Sequence, residues 1–266
     1  LHLDTVSQFD IEKLLHGLKT STNKLGRPYA PATIRQQLIL LSRLYSFAIE
    51  RGLYDGKNPC KAVKKRKINN QKTEHLTDDE LIRLLETLKR WPDKMVSSIV
   101  MFALCTGMRR GEIFKLEWRD VDLYWEQVTL RNPKGGRNET LPLSEEAVKV
   151  LKGVPKRHKS PWVFYGRNGK QRKCIRAEWA KIRSTAQLPD DFRFHGLRHH
   201  FASSLVSEGV DLYTVQKLLT HKDAATTQRY AHLSDKRLRD ALAISKRALN
   251  PEKEKKSNLK RFLIGE

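Results

Sequence analysis

Apolar residues recur at helical spacing along most of this chain, and this periodicity limits the fold more than any other feature. The clearest case is an apolar series in the C-terminal half, formed by Leu197, Phe201, Leu205, Val215, Leu218 and Leu219. Similar patterns predict helices over 10–19, from Pro31 to a C-cap at Gly52, and over 78–90 and 94–106. Further helices are predicted from about Arg109 and over 144–152 and 173–187. The sequence therefore predicts a mainly α fold.

A small antiparallel β-sheet is predicted to interrupt these helices. Residues 126–131 and 138–143 have the alternation of strands, and they flank a hairpin turn at 133–137, Pro-Lys-Gly-Gly-Arg. A further short strand is predicted over 162–165. The predicted fold class is thus mainly α with a small antiparallel β-sheet.

Composition shifts along the chain predict two domains. Residues 1–60 form a small helical domain that closes at Asn58-Pro59, and we expect it to be truncated at its N-terminus because the chain begins at Leu1. Residues 61–74 are a basic linker. A larger, mostly helical domain over 75–250 opens with a capping box of Thr77 and Glu80. The tail, 251–266, has four apolar residues that favour docking on a neighbouring protomer: Leu259, Phe262, Leu263 and Ile264. A disordered end is the alternative.

The charge of the chain favours a polyanionic partner. Lys and Arg number 52 against 30 Asp and Glu, a formal net charge of +22, and nucleic acid is the usual partner of such an excess. The predicted phosphate contacts are two arginines of the long N-terminal helix and the basic linker residues: Arg35, Arg43, Lys61, Lys64, Lys65, Arg66 and Lys67. A linker that is only a solvated hinge explains the same charges equally well.

No membrane partner is expected, because the chain has no apolar run of about 18 residues. Three widely spaced cysteines indicate free thiols in a reducing compartment and not a disulfide framework: Cys60, Cys105 and Cys174.

Polar residues that could act on a phosphate are spread over four segments. Arginines bind phosphate oxygens through paired N–H donors, a lysine can protonate a leaving alkoxide, and a tyrosine can attack if positive charge helps it to ionise. The candidates are Arg109, Lys134, His195, Arg198, His221 and Tyr230. Taken singly, each has a structural explanation, such as a surface pair of Arg109 with Glu112 or a packing role for Tyr230. His195 and His199 have zinc-like spacing, but no third ligand follows, so neither a metal nor a cofactor is predicted.

Taken together, these motifs resemble the tyrosine recombinase (phage integrase) family over nearly the whole chain. Thr106-Gly-Met-Arg109-Arg-Gly-Glu112 is similar to the first family box, and His195-Gly-Leu-Arg198-His-His is similar to the second. Lys134, Leu218-Leu-Thr-His221 and Thr226-Thr-Gln-Arg-Tyr230 match the remaining positions. Two residues depart from the pattern: Thr220 stands where the family usually has glycine, and His200 where threonine is common.

The resemblance implies DNA strand exchange through a covalent 3′-phosphotyrosine. Tyr230 would attack the phosphodiester, Arg109 and Arg198 would hold its oxygens, and Lys134 would be the general acid. His195 would accept the tyrosine proton, and His221 would hydrogen-bond the phosphate. The resemblance also implies a core-binding N-terminal domain, double-stranded DNA as partner, a dimer to tetramer on DNA, and a bacterial or phage-encoded protein of the cytoplasm. A type IB topoisomerase and a non-catalytic DNA-binding protein are the alternatives.

Overall fold

The computed structural model describes residues 3–64, 74–131, 138–155 and 160–233. The chain forms two compact units, 1–71 and 72–266. The division falls within the predicted basic linker, most of which, including Lys65, Arg66 and Lys67, lies outside the described residues. The tail 251–266 and the hairpin turn 133–137 also lie outside them.

The first unit is a helix pair with its own small core. Helix α1, Gln8–Thr20, begins at a capping box of Ser7 and Asp10, and α2, Pro31–Glu50, begins with proline, whose missing N–H needs no partner there. The Asn58 side chain ties the end of the unit to α2, because its Nδ2 donates to the Ser42 carbonyl at 2.8 Å. The buried residues that join these elements are Ile11, Leu15, Leu38, Tyr45, Cys60 and Val63.

The second unit is mostly helical and is built around α4. Helix α3, Asp78–Arg90, starts at the predicted capping box of Thr77 and Glu80. Helix α4, Lys94–Thr106, is buried along most of its length and packs against later helices. Those that follow are α5, Arg110–Ile113; α6, Glu145–Gly153; α7, Arg176–Thr185; α8, Gly196–Ser207; α9, Leu212–Leu218; and α10, Ala224–Thr227. None of the helices in the described part of the chain is long and apolar enough to cross a membrane.

A three-stranded antiparallel sheet covers one part of this unit. Its strands are β1, Val121–Asp122, β2, Gln127–Leu130, and β3, Glu139–Pro142, in the order β1-β2-β3. Val128 lies opposite Val121 on one side and Leu141 on the other, and its side chain enters the core. The two predicted strands and their antiparallel pairing are therefore confirmed, as is the fold class of a mainly α chain with a small antiparallel sheet.

The strand predicted over 162–165 is wrong. This segment makes only isolated bridges, from Trp162 to Glu117 and from Tyr165 to Gln171. Its two central residues, Val163 and Phe164, are nevertheless fully buried, both at 0% exposure. An apolar run of this length is ambiguous in a sequence, and here it fills the core as an irregular segment.

Candidate active site

The turn after α4 begins the site and requires glycine. Gly107 has φ of 61°, in the left-handed region that only glycine enters without strain. A Cβ at this position would lie 2.5 Å from Cδ1 of Phe201 and 2.9 Å from Cδ2 of Leu219. The backbone therefore packs directly against side chains from two later elements, and this close approach brings Arg109 to the same place.

Arg109 caps α5 and also reaches a distant part of the chain. Its backbone N–H donates to Oε2 of Glu112 at 2.8 Å, and its Nη1 donates to Oε1 of the same carboxylate at 2.8 Å. Nη1 also donates to the Thr220 hydroxyl at 2.9 Å, and Nη2 to the Thr220 carbonyl at 3.3 Å. The local pair with Glu112 thus exists, but it orients the guanidinium toward residues more than a hundred positions away.

Arg198, on α8, is buried and bridges the same two segments. Its Nη1 donates to the Gly107 carbonyl at 2.8 Å, and its Nη2 donates to the Leu219 carbonyl at 2.5 Å. Burial, followed by the positive charge of Arg109, lowers the pKa of Arg198 to about 10. The group therefore stays protonated at neutral pH, and the two guanidinium groups hold the adjacent residues Leu219 and Thr220.

Thr220 explains the departure from glycine at this position. Its φ is 50°, so the backbone adopts the left-handed conformation that glycine accommodates without strain. Threonine keeps this conformation while its hydroxyl accepts the hydrogen bond from Arg109. His200, the second departure, accepts a hydrogen bond from the backbone N–H of Leu76 through its Nδ1 at 3.3 Å.

His221 follows Thr220 directly and faces both arginines. Its Nδ1 lies 2.8 Å from the hydroxyl oxygen of Thr227, which fixes the ring. Partial burial lowers the pKa of His221 to about 3, with the positive charges of Arg198 and Arg109 acting in the same direction. The imidazole is therefore neutral at neutral pH.

Tyr230 lies in a 3-10 helix, Gln228–Leu233, with only 1% of its surface exposed. Its hydroxyl oxygen is 2.6 Å from Nδ1 of His199, whose pKa is lowered to about 4 by burial and then by the neighbouring His195. The pKa of Tyr230 is raised by burial, and the positive charges of Arg229 and Arg198 oppose this rise. The positive charge of Arg198 thus stabilises the ionised form of the phenol. Its ring packs with the apolar cluster of Ala202, Val206, Val215 and Leu219.

His195 lies at the exposed edge of this group. Its ring centroid is 4.8 Å from that of His199, with the planes at 83°. Partial burial and then the charge of Arg198 lower the pKa of His195. The hydrogen-bond partner of the Tyr230 hydroxyl is His199, which we considered in the sequence only as a zinc ligand. The assignment of the proton acceptor to His195 stays a prediction.

Lys134 lies outside the described residues, so its predicted place beside these groups stays a prediction. The predicted DNA contacts of the first unit are exposed where the structure describes them: Arg35, Arg43, Lys61 and Lys64. Arg35 and Lys64 border the same cavity of about 680 Å³, between α1 and α2. Their role in DNA binding also stays a prediction.

The site combines two arginines, several imidazoles and a buried tyrosine on a mainly helical fold. Hydrogen bonds of Arg109 and Arg198 join the segments around 107–109, 198 and 219–220, and His199, next to Arg198, contacts the Tyr230 hydroxyl. Such a set can neutralise a phosphodiester and present it to a nucleophile.

The comparisons with known proteins give the family. The family model for the phage integrase family matches residues 74–237, and the chain belongs to this family. It is 27% identical over 237 residues to the integrase of Escherichia phage P2, covering 89% of this chain and 66% of that protein. It is 30% identical over 241 residues to the tyrosine recombinase XerC of Xanthomonas campestris pv. campestris, covering 86% of this chain and 72% of the relative.

A solved structure supports the fold. A lambda integrase dimer bound to a core site is 19% identical, with a TM-score of 0.67, covering 86% of this chain and 81% of that chain. At this identity the likeness shows the fold alone. The chain spans slightly less than two thirds, 66%, of the phage P2 integrase.

Proposed function

We propose that this protein is a site-specific recombinase that cuts and rejoins double-stranded DNA through a covalent 3′-phosphotyrosine. One observation carries the proposal. The guanidinium groups of Arg109 and Arg198 bind adjacent residues, Thr220 and Leu219, while the residue after Arg198 holds the hydroxyl of Tyr230. The two guanidinium groups and the Tyr230 hydroxyl are therefore connected through Leu219, Thr220 and His199.

In the cleavage step, the Tyr230 oxygen forms a bond to phosphorus as the bond from phosphorus to the 5′-oxygen breaks. The phenol proton passes to a neutral imidazole, with His195 as the assigned acceptor, and the departing 5′-oxygen takes a proton from Lys134. Arg109 and Arg198 stabilise the charge that grows on the non-bridging oxygens, and His221 hydrogen-bonds one of them.

Rejoining reverses these transfers on a second DNA end. A 5′-hydroxyl attacks the phosphotyrosine, and the phenol leaves with a proton returned to it. Because the phosphotyrosine ester conserves the energy of the broken diester, the scheme needs no nucleotide or metal.

Double-stranded DNA is the partner, which the net charge of +22 supports. Strand exchange requires at least two cutting subunits, so the protein acts as a dimer or tetramer on DNA; the lambda integrase relative is a dimer on its core site. Residues 1–60 serve as the core-binding domain, with 61–74 as the basic linker and 75–250 as the catalytic domain. We infer that the protein acts in the bacterial cytoplasm, near the nucleoid, and its similarity to phage and bacterial proteins supports this inference.

A library of nicked duplexes with randomised sequence tests the proposal without a known target site. A nick close to the cut releases a short 5′-hydroxyl strand, so rejoining fails and the covalent adduct accumulates. We expect adducts that survive denaturing electrophoresis and whose DNA, when sequenced, converges on one site. If the wild-type protein forms no covalent adduct with any duplex, the remaining explanation is a non-catalytic DNA-binding protein.

Tyr230→Phe removes the nucleophile and should abolish the adduct. Tyr213→Phe is the matched control, because Tyr213 is a 66% exposed tyrosine of the same unit, so its removal should leave the adduct unchanged. Two copies of the recovered site on one plasmid then separate recombination from topoisomerase activity. A recombinase exchanges the two sites, whereas a type IB topoisomerase only relaxes the plasmid.

A further inference from the structure

A cavity of about 560 Å³ opens beside His195, outside the group of residues described above. It lies between the start of α5 and the start of α7, and its mouth is formed by the exposed residues Arg110, Arg176, Arg193 and His195. A water molecule takes about 30 Å³ of liquid. The cavity is thus large enough for a phosphate group together with its hydration water.

The walls of this cavity carry an excess of positive charge. Four arginines line it, Arg110, Arg176, Arg183 and Arg193, and no carboxylate does. Arg183 is paired with Asp190, and Arg193 is paired with Glu74, so these two are neutralised. Among the residues that the structure describes, no carboxylate pairs with Arg110 or Arg176. Two exposed guanidinium groups are therefore left with their donors available.

Two of the residues that line the cavity also carry buried N–H groups. Within the described ranges, Trp179 Nε1 and Arg183 Nε are buried without a hydrogen-bond partner. The ligand that fits such a cavity is anionic and rich in acceptors.

His195 connects this cavity to the candidate active site. It lines the cavity, and it also lies one turn before Arg198 with its ring against His199. Arg110 follows Arg109 directly in the chain. The cavity therefore adjoins the candidate active site through His195 and Arg110. A DNA strand whose phosphate is held by Arg109 and Arg198 carries further phosphates on either side of it, about 3.4 Å apart along the helix axis.

We propose that Arg110 and Arg176 form a second phosphate-binding site, which holds a backbone phosphate close to the one that is cut and so fixes the strand in register. The ligand is a DNA backbone phosphate, and the site reads no base. This inference rests on the proposed function for the identity of the anion. Each contact should release condensed counterions, so the salt dependence of DNA affinity measures the site directly.

The experiment measures the affinity of the full chain for a 30-base-pair duplex of arbitrary sequence by fluorescence anisotropy at several salt concentrations. Because the site holds one phosphate, Arg110→Ala and Arg176→Ala should each reduce the slope of log affinity against log salt, and the double variant should reduce it by about 0.9. Arg110→Lys and Arg176→Lys keep the charge and should keep most of the slope. Circular dichroism and urea unfolding establish that each variant is folded.

Arg119→Ala is the matched control, because Arg119 is 65% exposed, does not line the cavity and is already paired with Glu117. It removes the same charge and should leave the slope close to that of the wild type. Equal slopes for all three alanine variants and the wild type would overturn the second site. The nicked-duplex assay with wild-type protein is independent of this result: an adduct with unchanged slopes leaves the recombinase standing and removes the site. If no adduct forms, the proposed function fails, and the slopes still decide whether the cavity binds phosphate.

Discussion

The hydroxyl oxygen of Tyr230 lies 2.6 Å from Nδ1 of His199, and both side chains are buried, at 1% and 4% exposure. At neutral pH the imidazole is neutral, because burial lowers its pKa to about 4, so Nδ1 can accept the phenol proton in a hydrogen bond. The contact connects the 3-10 helix of Tyr230 to α8, the helix of Arg198. Its strength can be measured separately from any reaction.

We expect a double-mutant cycle to show coupling between these two residues. His199→Leu leaves the phenol hydroxyl buried without an acceptor, which costs about 1–3 kcal/mol of unfolding free energy. Tyr230→Phe leaves Nδ1 unpaired, but the double variant removes both polar atoms. The double variant should therefore lose about 1 kcal/mol less than the sum of the single variants in urea unfolding. Strictly additive losses would mean that the hydrogen bond contributes nothing.

Gly107→Ala should destabilise the second unit strongly. A left-handed alanine costs about 1–2 kcal/mol, and a Cβ that meets Phe201 and Leu219 closer than 3 Å adds about 1–3 kcal/mol of overpacking. We expect a total loss of about 2–5 kcal/mol in urea unfolding. Gly153→Ala, where a Cβ meets nothing within 4 Å, should change the stability by less than about 1 kcal/mol. Similar losses at the two positions would contradict the close packing around Gly107.

Thr220→Ala and Thr220→Gly separate the backbone strain at this position from the hydrogen bond to Arg109. Both variants lose the hydroxyl, but only glycine relieves the left-handed backbone. The relief of about 1–2 kcal/mol is partly offset by the greater chain entropy of unfolded glycine. The unfolding free energy of Thr220→Gly should therefore be about 1 kcal/mol higher than that of Thr220→Ala. The reverse order would show that the Thr220 backbone is unstrained.

The stability of the DNA-free protein should fall between pH 6.5 and pH 4. His199 and His221 have pKa values lowered to about 4 and about 3, whereas an unfolded histidine has a pKa of about 6.5. In this window the unfolded chain binds more protons, so acid favours unfolding. Each fully buried histidine contributes a slope of up to about 1.4 kcal/mol per pH unit, and the partly exposed His221 contributes less.

Urea unfolding at a series of pH values measures this slope. The variant His199→Leu removes one of the groups responsible, so its unfolding free energy should depend less on pH than that of the wild type. His195 and His200, whose pKa values are also lowered, should supply part of the slope that is left. A stability that rises on acidification would exclude neutral buried histidines.

The helices could be predicted because their signals are local. The bounds of α3 and α4 follow from a capping box at Thr77 and from Gly107, and both helices occur as predicted. The segment 162–165 has equally apolar residues but no local signal of its own, and its path is set by contacts with the distant residues Leu116 and Glu117. Tertiary packing, which a single sequence does not display, decided its conformation.

The residues of the candidate site could be predicted from the sequence, but the hydrogen bonds that connect them could not. The sequence identifies Arg198 and Tyr230 through their motifs. That Arg198 bonds to the carbonyls of Gly107 and Leu219 depends on three elements meeting, since backbone acceptors have no signature in side-chain patterns. His199 was missed as the partner of Tyr230 because its spacing from His195 indicated only a metal, and the 31 positions that separate it from Tyr230 hide the contact.

The burial of Tyr230 has a consequence for the proposed chemistry. An oxygen held inside the core cannot meet a phosphate on the surface of a duplex, however tightly that duplex is bound. A protein that slides along DNA with Tyr230 buried would leave both strands intact. The 3-10 helix has to open before Tyr230 can cut a strand. The frequency of that opening would set the highest rate at which stray sites are broken.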